Sequence, residues 1–103
     1  MRALTWQAPD LLRVDHVADP AILNPRDAII RVTLSSVCGS DLHLLGGYVP
    51  AMKPGDIIGH EFMGEVVEVG KGVTDLRKGD KVITISIIGC GNCEPCQRSD
   101  FSC

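Results

Sequence analysis

Cys90, Cys93 and Cys96 stand at a strict three-residue interval, and no other feature constrains this chain so tightly. Two residues between thiols let a tight turn aim both sulfurs at one point. A third thiol on the same step nearly completes a cage for a soft metal. Cys103, the last residue, is a candidate fourth member of that cage. Bacterial iron–sulfur motifs open on the same interval, but their next Cys follows after three residues and precedes a Pro. Here Gln97, Arg98 and Ser99 follow Cys96, and Pro95 stands before it, so zinc is the better fit.

Composition narrows the setting. Five cysteines in a chain whose opening Met1-Arg2-Ala3-Leu4 lacks an apolar leader read as thiolates for metal or catalysis, and the odd count leaves one over. A length of 103 residues is expected to give one domain with a single core, burying roughly two-thirds of its unfolded surface. A net charge of −3 with scattered Lys and Arg leaves no basic footprint for nucleic acid or an anionic membrane. No apolar stretch approaches the roughly 20 residues of a membrane span. Cytoplasm is the expected location.

Short β-rich runs recur between turn signals. Strands are predicted over 11–17, 27–37, 62–69 and 81–88, with turns at Gly70-Lys71-Gly72 and Lys78-Gly79-Asp80. Residues 40–45 predict one or two helical turns, with Ser40 as N-cap and Gly46-Gly47 as the stop. Many strands and almost no helix predict a mainly β domain, a closed or partly open barrel. Trp6 and Phe62 are expected in the core or a pocket wall, and His16 facing solvent.

Two further segments carry candidate chemistry. Cys38-Gly39-Ser40-Asp41-Leu42-His43 gathers a thiol, a hydroxyl, a carboxylate and an imidazole. Cys38 and Asp41, like Ser40 and His43, are three apart and share a helix face. Taken alone, the segment reads first as a small buried Cys, a helix-capping Ser or Asp and a surface His. Gly59-His60-Glu61 offers a ligand, a carboxylate beside it and a Gly that lets the backbone come close to the site. Alone it reads first as a solvent-facing loop.

Together these motifs, with Gly64-Glu65-Val66-Val67-Glu68-Val69-Gly70 and Gly79-Asp80-Lys81-Val82, resemble the N-terminal catalytic domain of the zinc-dependent medium-chain alcohol dehydrogenases. That domain has a fold like the co-chaperonin GroES, and the resemblance covers essentially residues 1–103. Residues 55–65 look most like the glutathione-independent formaldehyde dehydrogenase branch. A polyol or threonine dehydrogenase is the alternative within the family. A non-enzymatic GroES-like zinc-binding module is the alternative outside it, and it would leave Cys38, Ser40, His43 and His60 without work.

The resemblance implies that Cys38 and His60 bind a catalytic zinc, with Glu61 as an alternative ligand. It implies that Ser40 hydrogen-bonds the substrate hydroxyl, that His43 passes its proton on, and that Asp41 supports the ligands from behind. Cys90, Cys93 and Cys96 would bind a second, structural zinc in a lobe at the C-terminal end. The family's fourth thiol falls at position 104, one place after Cys103, so the residue there is the favoured closure and Cys103 the alternative. The resemblance further implies a small alcohol or aldehyde substrate, NAD or NADP as hydride acceptor and a homo-oligomeric parent enzyme. The third catalytic ligand and the whole Rossmann domain would lie beyond residue 103, for no G-x-G-x-x-G follows a strand here. The expectation is a domain cut from a longer protein and inactive alone.

Overall fold

A computed structural model of the protein describes residues 1–101. Strands β1 (Arg2–Ala8) and β2 (Leu11–His16) form an antiparallel hairpin, with Arg2 opposite His16 and Trp6 opposite Leu12. Strands β3 (Ala28–Ser35), β4 (Phe62–Val69) and β5 (Lys81–Thr84) form a separate antiparallel sheet with β4 in the middle. Helix α1 (Gly39–Leu45) lies between β3 and β4, and the single turn α2 (Glu94–Gln97) lies within the cysteine run. The domain is mainly β, as expected. Its two sheets do not close into a barrel among the described residues.

The predicted strands over 11–17, 27–37 and 62–69 recur within two residues at each end. The predicted strand over 81–88 ends at Thr84, because Ile85–Ile88 find no partner strand. Strand β1 was not foreseen: Thr5 and Trp6 are its buried residues, and its register comes from pairing rather than from clean alternation. The expected N-cap Ser40 is also displaced. Cys38 is the N-cap, and the Asp41 carboxylate reaches back to accept a hydrogen bond from the Cys38 N–H at 2.9 Å.

The hairpin carries the site through backbone bonds. Trp6 N–H donates to the Asp56 carbonyl at 2.8 Å, and Ile58 N–H donates to the Leu4 carbonyl at 3.1 Å. The Trp6 indole N–H donates to the Leu45 carbonyl at 3.3 Å, holding the end of α1. One strand thus fixes both the helix after Cys38 and the loop before His60. Buried Thr5 stiffens that strand by donating to the Asp15 carboxylate at 2.6 Å.

The expected single core is thin. Trp6 and Val66 are the buried hydrophobic residues, whereas Leu34, Ile83, Ile85 and Ile88 are 64%, 75%, 62% and 94% exposed. A compact chain of 11.1 kDa would show about 5,700 Å² of surface; this one shows 7754 Å². Its radius of gyration is 15.3 Å, against about 13 Å for a compact chain of this length. Apolar surface on the β5 side is left uncovered. No helix among the described residues is long and apolar enough to cross a membrane.

β3 and β4 meet closely where their register shifts, between Val32 and Leu34. Gly64 lies there, and a Cβ on it would come within 2.3 Å of the Arg31 carbonyl oxygen. Gly64→Ala is therefore expected to pry β3 from β4 and to lower stability by roughly 1–3 kcal/mol, read from the midpoint of urea unfolding.

Candidate functional site

Cys38, His60 and Glu61 converge. One ligand atom from each lies within 4.8 Å of the others, and all three residues are half-buried. Cys38 ends the run after β3 and caps α1; His60 and Glu61 end the loop that enters β4. Gly59 was expected to let the backbone approach the site. A Cβ there would meet nothing within 4 Å, but its φ of 105° suits glycine, so its service is to the turn before His60.

Asp41 joins the two segments. Its Oδ2 holds the Cys38 N–H, and its Oδ1 lies 3.2 Å from His60 Nδ1. That Oδ1 is buried and lacks an aligned hydrogen bond, although the ion-pair distance is short. With Nδ1 turned to Asp41, His60 Nε2 faces the Ser40 hydroxyl at 3.1 Å. Ser40 Oγ also lies 3.4 Å from Cys38 Sγ as a donor. The hydrogen bond from Ser40, with further help from His60, lowers the Cys38 thiol pKa. The bond to Cys38 raises that of His60 against partial desolvation, with the Asp41 charge assisting. Both shifts run towards the charged forms, and a metal ion would draw on the same sulfur and nitrogen by taking the place of their protons.

His43 stands apart. It is exposed, its ring meets Tyr48 edge-on at 6.0 Å between centroids, and no hydrogen bond joins it to the cluster among the described residues. Tyr48 was missed in the sequence. Its only signal there is its place just after Gly46-Gly47, and its N–H donates to the His43 carbonyl at 3.1 Å.

The second cluster is Cys90, Cys93 and Cys96, again with ligand atoms within 4.8 Å of one another. Cys103 lies outside the described residues. Pro95 sits in the first turn of α2, after the Cys93 N-cap and Glu94, and that turn places Cys96 near the other two thiols. The backbone N–H groups of Asn92 and Cys93 bring the Cys90 pKa down to about 7. Cys93 moves up: the Cys96 backbone pulls it down, but hydrogen bonds with the Cys96 and Cys90 side chains outweigh that pull. Three sulfurs gathered this closely, one with its pKa lowered to about 7, are a ready seat for a divalent ion.

Known proteins resemble this chain in sequence and in fold. The description "Alcohol dehydrogenase GroES-like domain" fits residues 24–103. The chain belongs to that family.

Its relatives agree with the fold and with the formaldehyde dehydrogenase likeness, and they extend beyond it. The chain is 50% identical over 98 residues to an uncharacterized zinc-type alcohol dehydrogenase-like protein, AdhB, of Bacillus subtilis, covering 95% of this chain and 26% of that protein. It is 33% identical over 103 residues to the glutathione-independent formaldehyde dehydrogenase of Pseudomonas aeruginosa, covering 94% of this chain and 26% of the relative. The alcohol dehydrogenase TADH from Thermus sp. ATN1 superposes with a TM-score of 0.91 at 42% identity, covering 98% of this chain and 29% of that one. This GroES-like chain thus spans about a quarter of the length of the curated relatives it matches.

The lowered Cys90 pKa has a direct consequence. Its thiolate persists above pH 7 and is lost as pH falls through about 7. With metal removed by a chelator, alkylation at Cys90 should reach half its maximal rate near that pH. Cys93 should lag at higher pH, as mass-mapped iodoacetamide labelling would show.

Proposed function

We propose that residues 1–103 are the metal-holding, GroES-like catalytic domain of a zinc-dependent, NAD(P)-linked oxidoreductase acting on small alcohols or aldehydes. The observation that carries this reading is the Cys38–His60–Glu61 cluster with the half-satisfied Asp41 carboxylate behind it. Sulfur, nitrogen and oxygen donors at this separation suit zinc. An ion on His60 Nε2 would keep the proton on Nδ1, where it can settle on the Asp41 Oδ1 that otherwise lacks an aligned partner. When bound, zinc would lower the pKa of an alcohol or water on it towards ~7.

The chain's own residues then have distinct tasks. Cys38 and His60 would hold the ion, with Glu61 as an alternative ligand. Asp41 sets the imidazole plane and at the same time anchors the start of α1. Ser40 Oγ, between His60 Nε2 and Cys38 Sγ, is placed to receive the substrate hydroxyl's proton. His43, exposed beside the Tyr48 ring, would pass that proton to solvent. Beside Glu61, an open hollow of about 640 Å³ lies over Leu34, Phe62, Ile83 and Ile85. Its exposed apolar floor would become a closed flank for a small carbon skeleton only once other parts of the parent enzyme cover it.

The nicotinamide-binding Rossmann domain, a third catalytic ligand and the subunit contacts of a homo-oligomer belong, in this reading, to further parts of the parent enzyme. They would also cover the exposed β5 side. Cys90, Cys93 and Cys96 hold a structural zinc, closed by Cys103 or the residue after it. Formaldehyde is the first substrate to try, given the 33% identity over 103 residues to a glutathione-independent formaldehyde dehydrogenase, and threonine the next, given 40% identity to an L-threonine 3-dehydrogenase.

The test is a full-length chain offered formaldehyde, threonine and short alcohols with NAD or NADP, followed by nicotinamide absorbance. Two zinc ions per chain and zinc-dependent turnover are expected; zinc binding without turnover on any of these substrates would sink the reading in favour of a binding module. Ser40→Ala should cut kcat by about 10²–10⁴ with the zinc content unchanged. The 103-residue chain by itself should produce no reduced nicotinamide.

A further inference from the structure

We infer that Arg26 is a positioning residue for the Cys90–Cys93–Cys96 lobe, acting on the Cys90 peptide from a turn locked to the sheet. The inference rests on the reading that these three thiols hold a metal.

The turn that carries Arg26 is fixed on both sides. The Asp27 carboxylate accepts hydrogen bonds from the Leu23 and Asn24 N–H groups at 3.1 and 2.8 Å. The Pro25 carbonyl accepts from Gly72 N–H at 2.7 Å, and the Asp27 carbonyl accepts from Gly70 N–H at 2.8 Å. Those bonds clamp the turn to the segment that leaves β4. From this base the Arg26 guanidinium donates to the Cys90 carbonyl oxygen at 2.5 Å. A Cβ placed on Gly91 would lie 3.2 Å from the same Arg26 nitrogen, so the guanidinium sits against the Cys90–Gly91 peptide.

The lobe's other ties are mostly local. Ile85–Ile88 approach it without strand pairing, and α2 packs extensively against no other element among the described residues. The lobe's side-chain bonds from Gln97 to Asn92 and from Arg98 to Glu94 run within it. A donor on the Cys90 carbonyl fixes the peptide plane and with it the direction of the Cys90 Cα–Cβ bond. That direction decides where Sγ stands relative to Cys93 and Cys96. Three thiolates on a divalent ion leave a net negative charge, which a guanidinium set against that loop also favours. A hydrogen-bond partner behind a ligand commonly changes metal affinity by about 10–100-fold. Here the bond is exposed and reaches the ligand's carbonyl, so the lower end is expected.

The experiment follows zinc release from the full-length chain into a chromophoric chelator. The lobe zinc is identified as the one missing from Cys93→Ser. Arg26→Gln should release the lobe zinc about tenfold faster, and Arg26→Lys, which keeps charge without the planar donor, should fall between it and the wild type. The zinc retained by Cys93→Ser should leave at the same rate with or without Arg26→Gln. Release of the lobe zinc at the wild-type rate in either Arg26 variant would overturn the assignment, as would equal loosening of both zinc ions, which marks general destabilisation. Should Arg26→Gln not fold, Arg26→Lys alone decides. A wild-type chain with no zinc to lose on Cys93→Ser would overturn the metal reading of the lobe, and this inference with it.

Discussion

The Asp41 carboxylate bears two obligations at once, and the arrangement of the site depends on both. One oxygen satisfies the Cys38 N–H at the start of α1, a backbone donor that a helix of this kind leaves unpaired. The other faces His60 Nδ1 from a buried position. A carboxylate in that place makes the geometry of Cys38 inseparable from that of His60. The first turn of α1 also favours the charge, because the helix N-terminus carries partial positive charge. Removing the carboxylate would therefore disturb the thiol and the imidazole together, through different bonds.

The hairpin does at the level of backbone what Asp41 does at the level of side chains. β1 receives the 55–58 segment by main-chain bonds on one side and holds the last turn of α1 through the Trp6 indole. Hence a framework with few fully buried side chains still holds two ligand-bearing segments in register. Hydrogen bonds and a single indole do here what a large apolar core does elsewhere. The apolar surface along Ile83, Ile85 and Ile88 is the counterpart of that economy, since nothing among the described residues covers it. The cysteine lobe is the extreme case, its shape set by local turns and by Arg26 rather than by packing.

Legibility followed the range of the interactions. β4 was readable because its apolar residues and the Gly70-Lys71-Gly72 stop are local signals, and it begins and ends where they do. β5 was read too long because Ile85–Ile88 are apolar enough for a strand but need a partner, and a partner is a matter of tertiary structure. β1 was overlooked because its pairing with β2 and with Ile57 defines it more than its own pattern does. The N-cap was displaced from Ser40 to Cys38 because the capping atom belongs to Asp41 reaching backwards, while the Ser40 hydroxyl is occupied by Cys38 and His60. Tyr48 carries no motif at all and becomes visible only once its ring is seen against His43.

By itself the sequence determined the chemical inventory: the three-residue thiol interval, the two motifs with metal-type side chains, the mainly β character and the family. Those follow from residue type and short spacing, which a one-dimensional pattern carries in full. The family resemblance already implied one site for Cys38, His60 and Glu61, and the tertiary structure brings them together; it alone decided that His43 stands aside with Tyr48 and that Arg26 reaches the Cys90 peptide. Contacts of that kind depend on chain closure over long separations, and closure is set by strand register and backbone pairing rather than by any local spacing.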